Sequence, residues 1–182
     1  AANRWCSLVT PVIKSICTHQ AFHGASECLQ VFGGHGYVKE WGIEQIVRDS
    51  RVAMIYEGTN EIQAIDLLVR KVLPDGGATL NALLNDLLAD SAWSQPSSSL
   101  QANAEALRQV TAELVAVNAA DPSKAYWVAG EYLRVTGLVL LQWAADRLAA
   151  SKACAGSPQA YDAWILPELG MRMAIIRSQL SI

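Results

Sequence analysis

The sequence predicts an all-α protein, and three observations lead to this fold class. Hydrophobic residues make up 52% of the 182 residues and aromatic residues only 7%, with alanine and leucine abundant, a balance that favours packed helices over sheets. Apolar residues recur at steps of three and four along most of the chain. Short joints separate these periodic segments, so an antiparallel helical bundle is the simplest architecture.

The N-terminal part predicts two consecutive helices. The apolar period indicates a first helix over about 3–18. Pro11 falls inside it, and we expect this proline to kink the helix or to begin it anew. A second helix is predicted over about 20–32, and Gly33-Gly34 ends it.

Two further helices complete the first predicted unit, residues 1–73. The third is expected near 42–52, where apolar residues occupy one side. A fourth begins after a helix cap at Thr59 or Asn60. Turn-forming residues at 74–77 close this section.

Residues 78–182 are predicted to form an additional helical unit. A short leucine-rich helix near 78–90 leads into a polar, serine-rich connector. Three longer helices follow, over about 99–119, from Asp121-Pro122 to about 154, and from Ser157-Pro158 onward, the last two marked by a cap-then-proline order. The first of these three has a bundle-like seam at Leu100, Leu107 and Leu114.

Charge and composition argue against several classes of function. The net charge of −3, with both signs interspersed, leaves no basic face for nucleic acid. The longest apolar stretch, near 135–145, is bracketed by charges too closely for the ~20 residues of a membrane span, so we interpret it as a core helix. Nothing at the start resembles a signal peptide, and we expect a cytoplasmic protein. Because the chain opens within a helical pattern, we interpret it as a fragment of a larger protein.

The cysteines and most tryptophans are interpreted as parts of the core. The cysteines lack the short paired spacing of zinc ligands, so we predict no metal site and expect buried free thiols. The tryptophans of the second unit are expected to anchor its core. These residues are Cys6, Cys17, Cys28, Cys154, Trp93, Trp127, Trp143 and Trp164.

Two glycine-punctuated segments, QVFGGHGY at 30–37 and IYEGTNEIQ at 55–63, are the most informative part of the chain. Gly-Gly-x-Gly ends a helix and brings bare backbone to the surface, where a phosphate or a flavin can approach it closely. Glu57 follows an apolar run and precedes a glycine. We therefore expect its carboxylate to lie at a helix end and to face an apolar cavity.

Both segments, their order and the 27-residue step from Gln30 to Glu57 resemble the C-terminal helical domain of the FAD-dependent acyl-CoA dehydrogenases. The Arg48-Asp49 pair between them adds to the resemblance, and we interpret this pair as a structural ion pair. The resemblance covers residues from about 3 to 73. Residues 78–182 look like the extra helical domain of larger bacterial members, such as those resembling methylmercaptopropionyl-CoA dehydrogenase.

By this resemblance, Glu57 is the base that removes the α-proton of an acyl-CoA thioester while a hydride passes to the flavin, which gives a trans-2-enoyl-CoA. Desolvation by the acyl chain makes such a carboxylate a stronger base. The backbone N–H of Glu57 and a ribityl hydroxyl of the flavin would hydrogen-bond the thioester oxygen. The resemblance also implies an electron-transfer flavoprotein as electron acceptor.

The resemblance assigns three residues to the adenosine diphosphate half of FAD on a neighbouring subunit: Gln30, Gly33 and Gly34. A plain helix stop would explain the glycines but not Gln30. His35, between glycines, is not a catalytic candidate, because this position does not carry the family's chemistry.

The second segment contains the other candidate binding residues. Thr59 resembles a hydroxyl contact to the flavin, although a helix N-cap explains it equally well. Glu61 stands where members carry glutamine or glutamate, and we assign it to the cofactor as well. Tyr56 and Gly58 are assigned to the substrate pocket, although simple packing would also account for Tyr56.

Two other functions stay open from the sequence. The chain could be a non-catalytic helical interaction or oligomerisation module that keeps the family framework. An oxidase that passes electrons to oxygen is a third possibility. We expect a homodimer, and we expect that this chain alone neither holds FAD tightly nor turns over substrate.

Overall fold

The computed structural model describes residues 2–92, 95–151 and 157–181, and no strand occurs among them. Most of these residues lie in helices that pack side by side. The predicted all-α class is confirmed.

Helix α1, Ala2–Val31, is one continuous helix where the sequence predicted two. Pro11 has no N–H, so the carbonyl of Ser7, four residues earlier, loses its intrahelical partner. The ammonium of Lys71 donates a hydrogen bond to this carbonyl at 2.6 Å. The helix therefore continues past the proline instead of beginning anew, because a side chain from elsewhere in the chain satisfies the carbonyl that the proline leaves free.

A short helix, α2 (Gly34–Tyr37), and a 3₁₀ turn lead from α1 to α3 (Ile43–Val52). α2 lies against the end of α1 because residue 36 is glycine. A Cβ atom on Gly36 would lie 2.6 Å from the carbonyl oxygen of Leu29, closer than any real contact. The predicted third helix is confirmed, but it contributes no buried residue.

Helix α4 spans Asn60–Ile65 and continues as a π-helical segment, Asp66–Val72. Thr59 is its N-cap, because the Thr59 Oγ1 accepts a hydrogen bond from the N–H of Ile62 at 3.4 Å. Of the two caps that the sequence allowed, the structure selects Thr59.

The remaining helices agree with the predicted order, with one exception at the end. The single last helix predicted after Ser157 is two helices, because the amides of Ile165 and Leu166 both fold back onto the carbonyl of Tyr161 and Pro167 starts a new helix. The helices are α5 (Ala78–Leu88), α6 (Ser98–Ala120), α7 (Ser123–Ala150), α8 (Ser157–Trp164) and α9 (Pro167–Leu180).

Helix α7 lies at the centre and packs against α1, α4, α6, α8 and α9. Its buried Tyr132 hydroxyl shares a 2.7 Å hydrogen bond with the Thr111 hydroxyl of α6. One continuous core joins buried residues from both predicted units, and the seam of α6 lies in it as expected. Over the described residues, no helix combines the length and the apolar character of a membrane span.

The expectation that the cysteines are buried is wrong for the three that the structure describes. Cys6, Cys17 and Cys28 are all exposed on α1. A step of eleven residues is close to three whole turns, so the three thiols share one side of the helix, and this side faces away from the core. Cys154 lies outside the described residues.

Two of the four tryptophans that were expected in the core are on the surface. Trp127 is 60% exposed and Trp164 is 86% exposed. Trp143 packs against the core as predicted, and its indole N–H donates to Asp90 at 2.9 Å. Trp93 lies outside the described residues.

The hydrogen bond between Lys71 and the Ser7 carbonyl can be tested with a double-mutant cycle. We expect Lys71→Met to lower the free energy of unfolding by about 1 kcal/mol, because it leaves this carbonyl without a partner. In a Pro11→Ala background the new N–H can bond the same carbonyl, so Lys71→Met should cost less. Urea unfolding of the four proteins measures both costs. Equal costs in both backgrounds would refute this account of α1.

Candidate active site

The turn between α3 and α4, residues 53–59, contains the predicted base. Glu57 has a backbone φ of 55°, and it is the one non-glycine residue with positive φ in the described part of the chain. The next residue, Gly58, has a φ of 86°. A left-handed backbone costs a residue with a Cβ atom about 1–2 kcal/mol, so other contacts must hold the turn in this shape.

Side chains from outside the turn bind its two central carbonyl groups. The amide nitrogen of Gln63 donates to the Glu57 carbonyl at 3.2 Å. The Lys14 ammonium of α1 donates to the Gly58 carbonyl at 2.7 Å and to the Asn60 side-chain oxygen at 3.0 Å. The turn is thereby tied to both α4 and α1.

The backbone amides of the turn are available to a ligand. Among the described residues, the N–H groups of Glu57, Gly58 and Thr59 have no hydrogen-bond acceptor. Three successive N–H groups without a partner can donate to an oxygen atom of a bound molecule.

The carboxylate of Glu57 faces solvent in this chain, where the sequence predicted an apolar cavity around it. No described residue forms a hydrogen bond or ion pair with it. Ile55 and Tyr56, which could form walls beside it, are themselves 51% and 52% exposed. The described residues therefore provide no dry site, and desolvation of Glu57 requires a ligand or a further protein surface.

Thr59 and Glu61 have structural partners at the start of α4. The Thr59 hydroxyl is used by the N-cap. The pKa of Glu61 is lowered, first by a hydrogen bond from its own backbone N–H and then by the Thr59 hydroxyl. These contacts favour the local capping role that the sequence left open for Thr59. The assignment of both residues to the cofactor stays a prediction.

The other predicted cofactor residues form an open corner at the end of α1. Gln30, Gly33 and Gly34 are all exposed. Gly33 adopts φ 59° and ψ −144°, a conformation that is essentially limited to glycine. A Cβ atom at either glycine would meet nothing within 4 Å, so the backbone is bare and accessible. This corner fits the close approach of a phosphate group.

The structure does not bring the corner and the turn together on one chain. Lys14, which contacts the turn, and Gln30, at the corner, are sixteen residues apart on α1, which corresponds to about 24 Å along the helix axis. The predicted catalytic and ADP-binding residues therefore form two separate surfaces.

The ion pair expected between Arg48 and Asp49 does not form. Arg48 bonds Glu44 at 2.8 Å, and Asp49 accepts a hydrogen bond from Gln45 at 2.7 Å. Adjacent residues of a helix point in different directions, whereas residues four apart share a face, so both side chains find partners one turn earlier.

Lys14 and Asn60 were missed by sequence analysis as determinants of the site. Asn60 was considered only as a helix cap. The Asn60 side-chain oxygen accepts from Lys14 and from the Thr18 hydroxyl, at 3.2 Å, and its amide nitrogen donates to the Ser15 carbonyl at 3.4 Å. Their partners lie more than forty residues away in sequence, and no periodicity in the sequence signals such contacts.

Large apolar side chains are exposed on the elements between the corner and the turn. Soluble monomers rarely expose so many apolar side chains on neighbouring elements. The exposed apolar side chains of this region are those of Val31, Phe32, Tyr37, Val38, Trp41, Ile46, Val52, Ile55 and Tyr56.

The proteins similar in sequence to this chain are acyl-CoA dehydrogenases. Residues 2–72 match the family model of the acyl-CoA dehydrogenase C-terminal domain. Over 150 residues, 78% of the chain, it is 35% identical to 3-methylmercaptopropionyl-CoA dehydrogenase of Ruegeria pomeroyi, of which this match covers 26%. Over 73 residues, 40% of the chain, it is 41% identical to the broad-specificity linear acyl-CoA dehydrogenase FadE5 of Mycobacterium tuberculosis, with 12% of that protein covered.

The matched region thus spans about a quarter of the first relative and about an eighth of the second. The first match also extends well beyond the 71 residues that the family model covers. Residues 2–72 of the chain thus belong to the acyl-CoA dehydrogenase family, as a segment of its C-terminal domain.

Proposed function

We propose that this chain is the C-terminal part of an FAD-dependent acyl-CoA dehydrogenase and that Glu57 is its catalytic base. The reaction is the α,β-dehydrogenation of an acyl-CoA thioester to a trans-2-enoyl-CoA. The observation that carries the proposal is the backbone of Glu57. A left-handed glutamate beside free amide groups is a costly arrangement, and such strain is concentrated at functional sites.

Glu57 supplies two parts of this reaction. Its carboxylate takes the α-proton, and the exclusion of water by a bound acyl chain makes that carboxylate a stronger base. Its own N–H, which has no acceptor among the described residues, donates to the thioester oxygen, where negative charge develops as the proton leaves. Tyr56 and Gly58 border the acyl group beside it.

The flavin, when bound, supplies the hydride acceptor. The open corner at Gln30, Gly33 and Gly34 holds the adenosine diphosphate half, because its backbone is bare and accessible. Thr59 and Glu61 would contact the cofactor at the Glu57 turn. By family resemblance the electrons pass to an electron-transfer flavoprotein, and an oxidase differs in passing them to oxygen.

The separation of the two surfaces supports a homodimer. In such a dimer, the glycine corner of one subunit and the Glu57 turn of the other complete one site. The subunit interface buries the exposed apolar side chains that lie between the corner and the turn.

A non-catalytic helical module is the second candidate, and the exposure of Glu57 favours it. A non-catalytic module needs the same fold but no catalytic base. The two candidates therefore differ at residue 57, where only the dehydrogenase requires a carboxylate.

Because the backbone of Glu57 is left-handed, we expect a glycine at this position to give a more stable protein than an alanine, the reverse of the usual order in a helix. Glu57→Ala and Glu57→Gly remove the same carboxylate, but only glycine relieves the left-handed backbone. We expect the glycine variant to be more stable by about 1 kcal/mol in urea unfolding. At Glu27, an exposed helical residue of α1, the order should reverse, with alanine more stable by a similar amount of about 1 kcal/mol. The same order at both positions would mean that Glu57 is not strained.

The assignment of the base is tested in the full-length protein that contains this chain. We expect Glu57→Gln to lower the rate of acyl-CoA dehydrogenation by about 10²–10⁴-fold, because the amide cannot take a proton. Glu27→Gln is the matched control and should retain the rate. Steady-state assays with an artificial electron acceptor measure both, with the isolated chain as a blank that shows neither flavin absorbance nor turnover. An undiminished rate in Glu57→Gln would favour the non-catalytic module.

The homodimer is tested by sedimentation of the isolated chain. We expect a dimer that a Val31→Lys/Tyr37→Glu double variant converts to a monomer, since both side chains belong to the exposed apolar set. Met171→Lys, on α9, should leave the dimer intact. A wild-type chain that sediments as a monomer at micromolar concentration would contradict the proposal.

A further inference from the structure

Backbone hydrogen bonds close the base of the Glu57 turn, among them one from the Asn60 N–H to the Met54 carbonyl at 3.3 Å. At the tip of the turn, the hydrogen bonds are those to the carbonyls of Glu57 and Gly58. The side chain of Glu57 and the amides of residues 57–59 have no partner among the described residues. Its left-handed backbone is unfavourable by itself. The groups that bind the carbonyls of Glu57 and Gly58 therefore hold the tip of the turn in its left-handed shape.

Lys14 is the charged group among them. It lies near the middle of α1 and is partly buried, and within the described part of the chain it forms no ion pair. Its ammonium is directed to two neutral oxygens, the Gly58 carbonyl at 2.7 Å and the Asn60 side chain at 3.0 Å. Hydrogen bonds from a charged donor are stronger than those between neutral groups, so the Lys14 contacts can offset the strain of the left-handed Glu57 backbone.

The two bound carbonyls fix two successive peptide planes. In a trans peptide the N–H points opposite to the C=O. Gln63 holds the Glu57 carbonyl, so the N–H of Gly58 is directed away from Gln63. Lys14 holds the Gly58 carbonyl, so the N–H of Thr59 is directed away from α1. The amides of Gly58 and Thr59 thus each point away from the group that anchors their peptide plane.

Asn60 adds further hydrogen bonds between the start of α4 and α1. Its side chain bridges Lys14, Thr18 and the Ser15 carbonyl, so one turn of α1 holds the start of α4. The position of the turn relative to α1 is therefore fixed at two residues, Gly58 and Asn60, one on each side of Thr59.

We propose that Lys14 is a positioning residue of the active site: by binding the Gly58 carbonyl and Asn60 from α1, it holds the left-handed turn that carries the Glu57 carboxylate. It touches neither substrate nor cofactor. The inference rests on the proposed role of Glu57.

The first test is the turn itself, in the isolated 182-residue chain. A positive φ gives a strong intraresidue NOE between the amide and α protons of Glu57. We expect Lys14→Met to weaken this NOE, because the turn loses its anchor, and we expect Lys14→Arg to keep it, because a guanidinium also donates to two oxygens. Lys124→Met is the matched control, since it removes a lysine that binds another backbone carbonyl, Leu180, and it should leave the NOE unchanged. If Lys14→Met does not fold, Lys14→Gln, which is too short to reach both oxygens, takes its place.

The second test is catalysis in the full-length protein. A base displaced by about 1 Å loses up to 10²-fold in rate, so we expect Lys14→Met to lower kcat by about 10–100-fold with little change in KM. Lys14→Arg should recover most of the rate, and Lys124→Met should retain it. An unchanged NOE and an unchanged kcat in Lys14→Met would overturn the inference, as would an equal loss in Lys124→Met.

The two tests separate this inference from the assignment of the base. If Glu57→Gln keeps the wild-type rate while Lys14→Met alters the NOE, the assignment of the base has failed and Lys14 still positions the turn. If Glu57→Gln is inactive while Lys14→Met changes neither the NOE nor kcat, the base stands and Lys14 is not its positioning residue.

Discussion

The continuity of α1 past Pro11 is the constraint on which the other features depend. A proline inside a helix leaves a carbonyl without a donor and can end the helix. Here the Lys71 ammonium, from the segment that follows α4, occupies that carbonyl, and α1 runs unbroken from Ala2 to Val31. One rigid helix therefore carries Lys14, which holds the Glu57 turn, and ends at the open glycine corner. Its length fixes the separation between the two candidate surfaces.

In the Glu57 turn, hydrogen bonds from other parts of the chain offset the strain of a left-handed backbone. The left-handed backbone of Glu57 costs about 1–2 kcal/mol. Hydrogen bonds from Gln63 and Lys14 to the two carbonyls offset that cost, and neither bond uses the amides or the carboxylate of the turn. The groups that the proposed reaction needs are left without partners in the described structure, while the groups that it does not need hold the turn in place.

The helices beyond residue 77 pack against the part of α1 that holds the Glu57 turn. Helix α7 packs against α1 at Gly137, where a Cβ atom would lie 2.6 Å from the Ile16 side chain. Ile16 lies within the stretch of α1 that carries Lys14 and Thr18. Helix α9 is joined to α7 by the Arg134–Glu168 pair at 2.6 Å. The additional helices thus share one core with the family domain and brace the side of α1 opposite the turn.

The sequence by itself determined the helical class, the helix order, the bundle seam of α6 and the two glycine segments, because these depend on local period and on residue type. It missed one local break, before Pro167, and otherwise failed where the answer depended on a distant partner. The continuity of α1 needed Lys71, the left-handed Glu57 needed Lys14, and the outward face of Cys6, Cys17 and Cys28 followed from which side of α1 packs on α7. Only the tertiary structure decided these points, since a hydrogen bond between residues more than forty positions apart leaves no pattern in either local segment.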